Sequence, residues 1–342
     1  MSHPFVSILL PIRNEAAYID RCMAAVRSQD YGRKNYEILI ADGMSNDGTR
    51  DKLKAHRIND SRVKVFDNPG KIVARGLNIL TQHAKGEILI RVDGHCVIAP
   101  DYVSNCVRHL QSGATDGVGG PMESIGEDTI SQAIALAMSA RFGVGYCCFR
   151  TESGQTKLVD TVPFPAYTRA IIDKVGPYDE EMVRNQDDEY NYRIRKAGGR
   201  ILLAADVRST YYSRGSLKKL WHQYYQYGFY KVRVLQKLPA QMRPRHFVPF
   251  LFVLALIITT VFLFLFTWGW LTLAGILGVY LLVNLFFSFT IAQKEGWQYL
   301  RYLPVTFATL HLSYGIGFLV GLFTFWNRWG DQQGQWPEEE SA

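Results

Sequence analysis

The sequence predicts an α/β domain with a mostly parallel sheet, followed by a membrane-interface segment and a group of transmembrane helices. Up to about residue 212, short apolar runs alternate with charged and Gly/Pro/Asn/Asp-rich clusters, as in alternating strands and helices. Beyond residue 246 the apolar stretches are long and uncharged, and a strongly cationic segment lies between the two regions. The predicted parts are the α/β domain at 1–212, the interface segment at 213–246, the transmembrane helices at 247–329 and an acidic tail at 330–342.

Four apolar strands are predicted early in the α/β domain, at 5–10, 36–41, 63–66 and 87–92. Helical patterns separate them, at 15–28, from about 46–49 onward, and at 72–82. Strands that alternate with helices in this way form a parallel sheet with right-handed crossovers. Ligands bind to such sheets beyond the carboxyl ends of the strands.

Polar side chains gather where three of these strands end. They are Arg13, Asn14, Glu15, Asp42, Asp93 and His95. Because the carboxyl ends of parallel strands meet at one edge, we expect one crevice to collect them. No G-x-G-x-x-G motif follows the first strand and the chain has no P-loop motif, which argues against an ordinary dinucleotide-binding domain and a P-loop NTPase.

The triplet Asp93-Gly94-His95 is a candidate metal site. Residues i and i+2 of an extended chain point to the same side, so the carboxylate and the imidazole converge. Mn²⁺ or Mg²⁺ accepts oxygen ligands and can add a nitrogen ligand, and such an ion could bridge the phosphates of a nucleoside diphosphate. A turn aspartate beside a surface histidine is the structural alternative.

A second acidic cluster, at 185–189, precedes a helical pattern that stops at Gly198-Gly199. Acidic residues at a helix start have a structural explanation, because they satisfy unpaired N–H groups and complement the helix dipole. The functional alternative is that one carboxylate faces the crevice and accepts a proton from a reacting hydroxyl.

Three stretches after residue 246 are long and apolar enough to cross a membrane, at 247–267, 270–292 and 303–326. The strongly polar residues within them are Asn284 and His311, and Trp and Tyr residues cluster near their ends, as in interfacial aromatic belts. The alternative is the buried helical core of a large soluble domain, where three stretches of this length are rare.

The interface segment at 213–246 carries eight Lys and Arg residues and no acidic residue, interleaved with aromatic side chains. By the positive-inside rule this segment and the α/β domain are cytoplasmic, and the pattern suits an amphipathic helix on an anionic leaflet. A nucleic-acid patch is the weaker alternative because the segment adjoins a membrane span. We therefore attribute the net charge of +7 mostly to a surface that contacts the membrane.

Cysteine usage and the N-terminus agree with a cytosolic location of the α/β domain. The five cysteines show no metal-ligand spacing, and their odd number argues against a disulfide framework. The apolar run at 5–12 is short and contains Pro11, so it does not match a signal peptide.

Together these motifs resemble the family 2 glycosyltransferases of GT-A fold, and more narrowly the bacterial exopolysaccharide enzymes of the succinoglycan type. The matching segments are VSILLP at 6–11, RNE at 13–15, IADG at 40–43 with Ser45, DGT at 47–49, AKGE at 84–87, RVDGH at 91–95, VGG at 118–120, DTVPF at 160–164 and RNQDDE at 184–189 with Arg193. The resemblance covers nearly the whole α/β domain and implies the Rossmann-like GT-A sheet.

The resemblance assigns the nucleotide-sugar site residue by residue. The residues that match positions holding the base and ribose are Pro11, Arg13, Glu15 and Asp42. Asp93 and His95 match the D-x-D element, which binds the diphosphate and a metal ion, Mn²⁺ or Mg²⁺. His95 here replaces the second Asp of the commonest form of that element.

The acidic cluster matches the E-D motif of the family, with Asp187 as the catalytic base and Asp188 as the alternative. Gln186 replaces the usual Glu of this motif. Arg193 matches the arginine with which the motif of the family ends. Gln223 and Tyr227 occupy the place of the acceptor-gripping Q-x-x-R-W element of processive synthases, of which only the glutamine remains. Processive extrusion is therefore not expected.

The implied function is that of an inverting glycosyltransferase of the EC 2.4 class, bound to the cytoplasmic membrane of a bacterial-type cell by several spans. It would transfer a hexose from a nucleotide sugar, with UDP expected, to a polyprenyl-diphosphate-linked saccharide in exopolysaccharide or cell-envelope glycan synthesis. One alternative is a polyprenyl-phosphate sugar transferase, and another is a non-catalytic membrane scaffold. A nucleic-acid partner is not expected.

Overall fold

The structure is a computed structural model that describes residues 3–145, 147–151, 154–213 and 215–330. The described chain folds into two units. Unit 1 takes the described residues up to 123 and those at 154–211, and unit 2 takes Ser124–Thr151 and the residues from Tyr212 onward. Most of the acidic tail predicted at 330–342 lies outside the described residues.

Unit 1 is built on a mixed sheet that has eight strands in the described part of the chain. In chain order these are β1 (Val6–Ile12), β2 (Tyr36–Asp42), β3 (Val63–Asp67), β4 (Ile88–Arg91), β6 (Gly117–Gly119), β8 (Lys157–Leu158), β9 (Ala166–Thr168) and β10 (Ile201–Leu203). The remaining strands are β5 (Cys96–Ile98), β7 (Met122–Ile125) and β11 (Ser209–Tyr212), which form a small second sheet in the order β5-β11-β7.

The helices of unit 1 flank its sheet, and those of unit 2 form a separate helical body. Unit 1 contains α1 (Ile19–Arg27), α2 (Thr49–Asn59), α3 (Val73–His83), α4 (Tyr102–Gln111), α8 (Arg169–Val175) and α9 (Gln186–Lys196). Unit 2 contains α5 (Thr129–Ser139), α6 (Arg141–Val144), α7 (Cys148–Thr151), α10 (Leu217–Lys237), α11 (Val248–Leu265), α12 (Gly269–Glu295) and α13 (Leu303–Thr324). Short 3₁₀ turns lie at Arg33–Asn35, Pro239–Gln241, Pro244–His246 and Trp297–Tyr299.

The predicted parallel sheet is confirmed. The strand order is β3-β2-β1-β4-β9-β6-β10-β8, and β1 pairs in parallel with both β2 and β4. The strand β9 runs antiparallel between β4 and β6, so its amino end meets the carboxyl end of β4. Apolar side chains of the central strands, among them Ile8 and Leu10 on β1 and Ile38 and Ile40 on β2, are fully enclosed.

The first strand continues through Pro11, where the sequence pattern predicted its end. The Leu9 carbonyl accepts from Val92, which shows that Leu9 points its backbone groups toward β4. Two residues later Pro11 points the same way, beyond the end of the β1–β4 pairing. A proline is tolerated there because no ladder hydrogen bond needs its missing N–H.

Unit 2 includes a part of the chain that was predicted to belong to the α/β domain. The inserted segment, Ser124–Thr151, carries α5 to α7 and belongs to the helical body. Its Phe142 ring packs against the rings of Phe287 and Phe307, each with centroids 5.0 Å away. An apolar helix such as α5 suits a soluble or a membrane-associated core equally by composition, so tertiary contacts decide its place.

Three helices of the described chain, α11, α12 and α13, are long and apolar enough to cross a membrane. Their bounds lie within a few residues of the predicted stretches. The predicted interface segment forms α10, which packs along α13 at backbone distance. A Cβ atom added to Gly317 would lie 2.1 Å from the Tyr225 carbonyl oxygen, and one added to Gly228 would lie 2.0 Å from that of Tyr314.

The cations of α10 are not all on an exposed face, as a simple amphipathic helix would have them. Lys218 and Lys219 are exposed, whereas Lys231 and Arg233 are buried. Arg233 donates to Gln236 Oε1 at 2.7 Å, and Gln236 donates to the Phe325 carbonyl at 2.6 Å. The Gln236 bond supplies a donor at the end of α13, where carbonyl groups lack partners within the helix.

Candidate active site

The carboxyl edge of the sheet in unit 1 collects loops with unusual backbone geometry. Five non-glycine residues of the described chain have positive φ angles, namely Asn14, Met44, Lys71, Phe164 and Asn185. The first three follow β1, β2 and β3, Phe164 precedes β9, and Asn185 precedes α9. Residues held in this sparsely populated conformation cluster at functional sites, so the backbone itself marks this edge.

Arg91 joins two candidate site residues at the end of β4. Its Nε donates to Asp93 Oδ1 at 3.0 Å, and its Nη2 lies 2.9 Å from the same oxygen. Its Nη1 donates to Asp187 Oδ1. The Arg91 side chain is only 7% exposed, and its backbone N–H donates to the Pro165 carbonyl, so the guanidinium is held in place from both ends.

Asp187 therefore lies on the first turn of α9, beside Arg91. Its side chain keeps 32% of its surface exposed on the open side. Removal from water raises the pKa of Asp187 to about 6; the positive charge of Arg91 opposes this rise, and the carboxylates of Asp93 and Asp188 add to it. At neutral pH the group is mostly ionised, yet it is basic enough to accept a proton.

Glu15 and His95 form a buried pair next to Asp93. Their side chains meet through Oε1 and Nδ1 at 2.7 Å, and the imidazole and the Tyr211 ring form a T-shaped pair with centroids 4.9 Å apart. The close approach depends on Gly94, because a Cβ atom there would lie 2.6 Å from Ile12 Cδ1 and 2.9 Å from Glu15 Cγ. The carboxylate can only accept, so Nδ1 donates in this pair, and the neutral form of the imidazole would present its Nε2 lone pair on the other side.

Asp42 is fixed at the end of β2. It is 1% exposed and accepts from the Ser45 backbone N–H at 3.2 Å and from Arg50 Nη1 at 3.0 Å. The other arm of Arg50 donates to Asp67 at 2.6 Å, so one guanidinium spans the ends of β2 and β3.

The loops after β1 and β2 are also bonded to each other. The Asn14 N–H donates to Ser45 Oγ at 2.8 Å, and the Asn46 N–H donates to the Asn14 side chain at 3.0 Å. Arg13 is exposed, and its Nη1 lies 3.4 Å from the Lys71 carbonyl. Pro11, half-buried in β1, completes this side of the edge.

The structure thus brings seven of the predicted residues to one edge of unit 1: Pro11, Arg13, Glu15, Asp42, Asp93, His95 and Asp187. Asp188 follows on the same helical turn. Arg193 has a supporting position: it forms a buried bidentate pair with Glu189 at 2.6 and 2.9 Å and donates to the Val175 carbonyl. Gln223 and Tyr227 lie on α10 of unit 2, where the amide donates to the phenol oxygen at 3.0 Å.

Two arginines of the site, Arg91 and Arg50, were not among the residues predicted from the sequence. Arg91 is two residues before Asp93, and the same i, i+2 rule that paired Asp93 with His95 would have found it. Arg50 gave no comparable signal, because its contact with Asp42 depends on how α2 packs beside β2 and β3.

Asp93 and His95 fit a divalent ion only if a substrate supplies further ligands. Within the residues that the structure describes, no three His, Cys, Asp or Glu side chains are grouped as a metal site. Mg²⁺ in phosphate-binding sites is commonly held by one or two protein ligands together with substrate phosphates and water. Glu15 orients His95 as carboxylates behind metal-bound histidines do, so the pair suits such a shared site.

At this edge of the sheet, a carboxylate whose pKa is raised to about 6 lies beside a fixed guanidinium, and the Asp93 and His95 side chains next to them could hold a cation. Such a set can accept a proton from an attacking hydroxyl and stabilise negative charge on a leaving group.

Comparisons with known proteins identify glycosyltransferases among the relatives of this chain. The family model described as glycosyl transferase family 2 matches residues 7–175. The succinoglycan biosynthesis protein ExoA of Rhizobium meliloti (strain 1021) is 30% identical over 336 residues, which cover 94% of this chain and 96% of that protein. A dolichyl N-acetyl-α-D-glucosaminyl phosphate 3-β-D-2,3-diacetamido-2,3-dideoxy-β-D-glucuronosyltransferase of Methanococcus voltae is 29% identical over 241 residues, covering 68% of this chain and 74% of that protein.

Among solved structures, the mannosyltransferase PcManGT of Pyrobaculum calidifontis, in complex with GDP-mannose and Mn²⁺, superposes with a TM-score of 0.60 at 18% identity. The match covers 93% of this chain and 88% of that one, and it shows the shared fold. On these grounds the chain belongs to glycosyltransferase family 2 and is a transferase of GT-A fold.

Proposed function

We propose that this protein is an inverting glycosyltransferase that moves a hexose from a nucleotide sugar to a lipid-linked saccharide, with Asp187 as the catalytic base. The observation that carries the proposal is the bridge from Asp93 through Arg91 to Asp187. Asp93 is expected at the donor diphosphate, and Asp187 is expected at the acceptor hydroxyl. The buried guanidinium of Arg91 contacts both carboxylates and so holds them close together.

In this proposal Asp187 accepts the proton of the acceptor hydroxyl as that oxygen attacks the anomeric carbon. The bond from this carbon to the diphosphate breaks as the new glycosidic bond forms, so the configuration inverts. A single displacement needs one base and no nucleophilic carboxylate. Arg91 keeps Asp187 ionised and oriented, and its charge lies beside the oxygens of the departing diphosphate.

The donor would lie along the ends of β1, β2 and β4, in contact with Pro11, Arg13, Glu15 and Asp42. The carboxylate of Asp42 is an acceptor and suits a base that presents an N–H group, as uracil does. Asp93 and His95 would hold Mn²⁺ or Mg²⁺ at the diphosphate. A divalent ion bound there would neutralise charge on the leaving group.

The acceptor is proposed to be a saccharide on polyprenyl diphosphate, reached from the cytoplasmic leaflet. The name of the Methanococcus voltae relative describes transfer to position 3 of a sugar that is already carried on dolichyl phosphate. That precedent supports a sugar hydroxyl as the attacking group. A polyprenyl-phosphate sugar transferase, the alternative, would use the lipid phosphate and would have little need of a base.

A donor and acceptor screen in lipid nanodiscs tests the proposal. We expect UDP release to require both a lipid-linked saccharide and a divalent ion, and to stop with EDTA. Release with bare polyprenyl phosphate and not with a lipid-linked saccharide would assign the alternative. Donor binding without turnover across the whole acceptor panel would indicate a non-catalytic protein.

A further inference from the structure

The start of α11 marks the level at which the chain enters the membrane. The cationic residues Arg243 and Arg245 lie directly before it. From there, α11 and α12 expose large apolar side chains on most sides, for example Leu251, Phe264 and Leu282. Exposed apolar surface of this extent is stable only against lipid, so these two helices face the hydrocarbon region.

The two helices run antiparallel, which gives depth markers on α12. The rings of Phe252 and Tyr280 stack with centroids 4.4 Å apart. Phe252 is about 7 Å along the helix from Phe247, at a rise of 1.5 Å per residue. Tyr280 is therefore only about 7 Å beyond the entry level, and the remainder of α12 runs back toward the cytoplasmic face.

The contacts of α13 lie close to that entry level along most of its length. Asn284 of α12 donates to the Pro304 carbonyl at 3.0 Å, in the first turn of α13. His311 Nδ1 lies 2.9 Å from the Tyr280 hydroxyl. Further along, the Phe318 ring lies 5.0 Å from that of Phe250, in the first turn of α11.

The remaining length of α13 is too short for a crossing. From Phe318 to Thr324, where the helix ends, the chain advances about 9 Å. The hydrocarbon core is about 30 Å thick. A helix that is still at the entry level at Phe318 cannot reach the other face before it ends.

The position of α10 gives an independent argument. This helix precedes α11 and so ends before the chain enters the membrane. It runs beside α13 in the same direction: a Cβ atom on Gly317 would lie 2.1 Å from the Tyr225 carbonyl oxygen, and Gln236 donates to the Phe325 carbonyl. The end of α13 therefore lies beside a segment on the cytoplasmic side, next to the buried cation Arg233.

We propose that only α11 and α12 cross the bilayer, and that α13 lies with α10 in the interfacial layer of the cytoplasmic leaflet. The pair forms an interfacial platform, defined here as α10 with α13, whose partner is the lipid headgroup layer. Its exposed residues suit that partner, since Lys218 and Lys219 can meet anionic headgroups and Trp221 matches the preference of tryptophan for the interface. Trp326 and Trp329, exposed directly after the end of α13, match the same preference. The proposal concerns topology, so it stands whichever donor and acceptor the enzyme uses.

Single-cysteine labelling with a membrane-impermeant maleimide tests this topology in native membranes. In a background with Cys147→Ser and Cys148→Ser, the other three cysteines are buried and stay in place. The test variant is Asn327→Cys, just beyond α13. Lys218→Cys serves as the cytoplasmic reference and Trp268→Cys, in the turn between α11 and α12, as the reference for the opposite face.

We expect Asn327→Cys and Lys218→Cys to react in inside-out vesicles and Trp268→Cys to react in spheroplasts. Reaction of Asn327→Cys in spheroplasts would show that α13 crosses and would overturn the proposal. Protection of that residue from both faces until detergent is added would place it in the hydrocarbon core, with the same consequence. Labelling of Trp268→Cys and Lys218→Cys on one face would overturn the two-span hairpin.

A fluorescent protein fused after the last residue of the otherwise native chain provides a measurement without cysteine substitutions. We expect it to fluoresce, as such proteins mature in the cytoplasm. An alkaline phosphatase fused at the same place is expected to be inactive. An active phosphatase with a dark fluorescent fusion would contradict the proposal.

Discussion

At the scale of single residues, the site depends on a guanidinium that holds two carboxylates. Asp93 and Asp187 come from distant parts of the sequence, and each could be recognised from its motif. Arg91 joins them into one site. It is the last residue of β4, lies beside the start of α9 and contacts both carboxylates. Burial raises the pKa of Asp187 to about 6, and the positive charge of Arg91 limits this rise.

Replacing Asp187 by Asn should remove the base while keeping the shape of the side chain. We expect kcat to fall by about 100- to 10,000-fold, the usual contribution of general base catalysis, with donor affinity nearly unchanged. Steady-state kinetics together with nucleotide-sugar binding in nanodiscs measure the two effects. The same measurements on Asp188→Asn compare the neighbouring carboxylate, and a larger loss there would transfer the role of base to Asp188.

The pH dependence of the wild-type enzyme should show the ionisation of Asp187. Since only the carboxylate can accept a proton, kcat should rise with pH through about 6, the raised pKa of this group. Arg91→Gln removes the charge that favours the carboxylate, so the rise should move to higher pH, whereas Arg91→Lys should keep it closer to the wild-type position. An unchanged pH profile in Arg91→Gln would show that Arg91 does not influence the ionisation of the catalytic base.

At the scale of elements, the strands were easier to predict from the sequence than the packing of one helix on another. Four short apolar runs bounded by turn residues lie within two residues of β1 to β4, because a buried parallel strand needs a continuous apolar run. The close packing of α10 on α13 is different. It depends on glycines, which any helix tolerates at some cost, and the sequence does not tell which partner backbone each glycine faces.

Gly317→Ala should therefore destabilise unit 2. Its Cβ atom would lie 2.1 Å from the Tyr225 carbonyl oxygen, so α10 and α13 must move apart. We expect a loss of about 1–3 kcal/mol, which is typical of an overpacked interface. Thermal unfolding in nanodiscs measures it as a lower Tm. Gly278→Ala on α12 is the matched control, because nothing lies within 4 Å of that Cβ atom; an equal effect in both variants would point to helix propensity instead of packing.

At the scale of the whole molecule, neither unit is a continuous piece of sequence. The chain leaves unit 1 within β7, forms the inserted segment in unit 2 and then returns to the sheet. The Phe142 carbonyl accepts from His311 Nε2 at 2.8 Å, which fastens this segment to α13. The residues predicted as the 1–212 domain therefore include a segment whose packing partners come later in the chain.

A chain that ends at residue 212 should consequently be poorly soluble. The apolar side chains of α5 and the Phe142 ring would lose their cover on α12 and α13, and exposed apolar patches cause association. We expect aggregates in size-exclusion chromatography. Deleting Ser124–Thr151 from the same fragment and joining its ends with a short Gly/Ser linker should restore the soluble fraction. A monodisperse 1–212 fragment would show that the inserted segment does not need unit 2.

The sequence by itself determined the fold class, the edge at which the site forms and most of the residues there, because these follow from local patterns: apolar strands, the residues that end them and ordered motifs. The tertiary structure alone decided three things: the contacts that join Arg91 to Asp93 and Asp187, the membership of the inserted segment and the place of α13 beside α10. Each of these depends on contacts between parts of the chain that are distant in sequence. Length and apolar composition describe what a helix can do, whereas its neighbours decide where it lies.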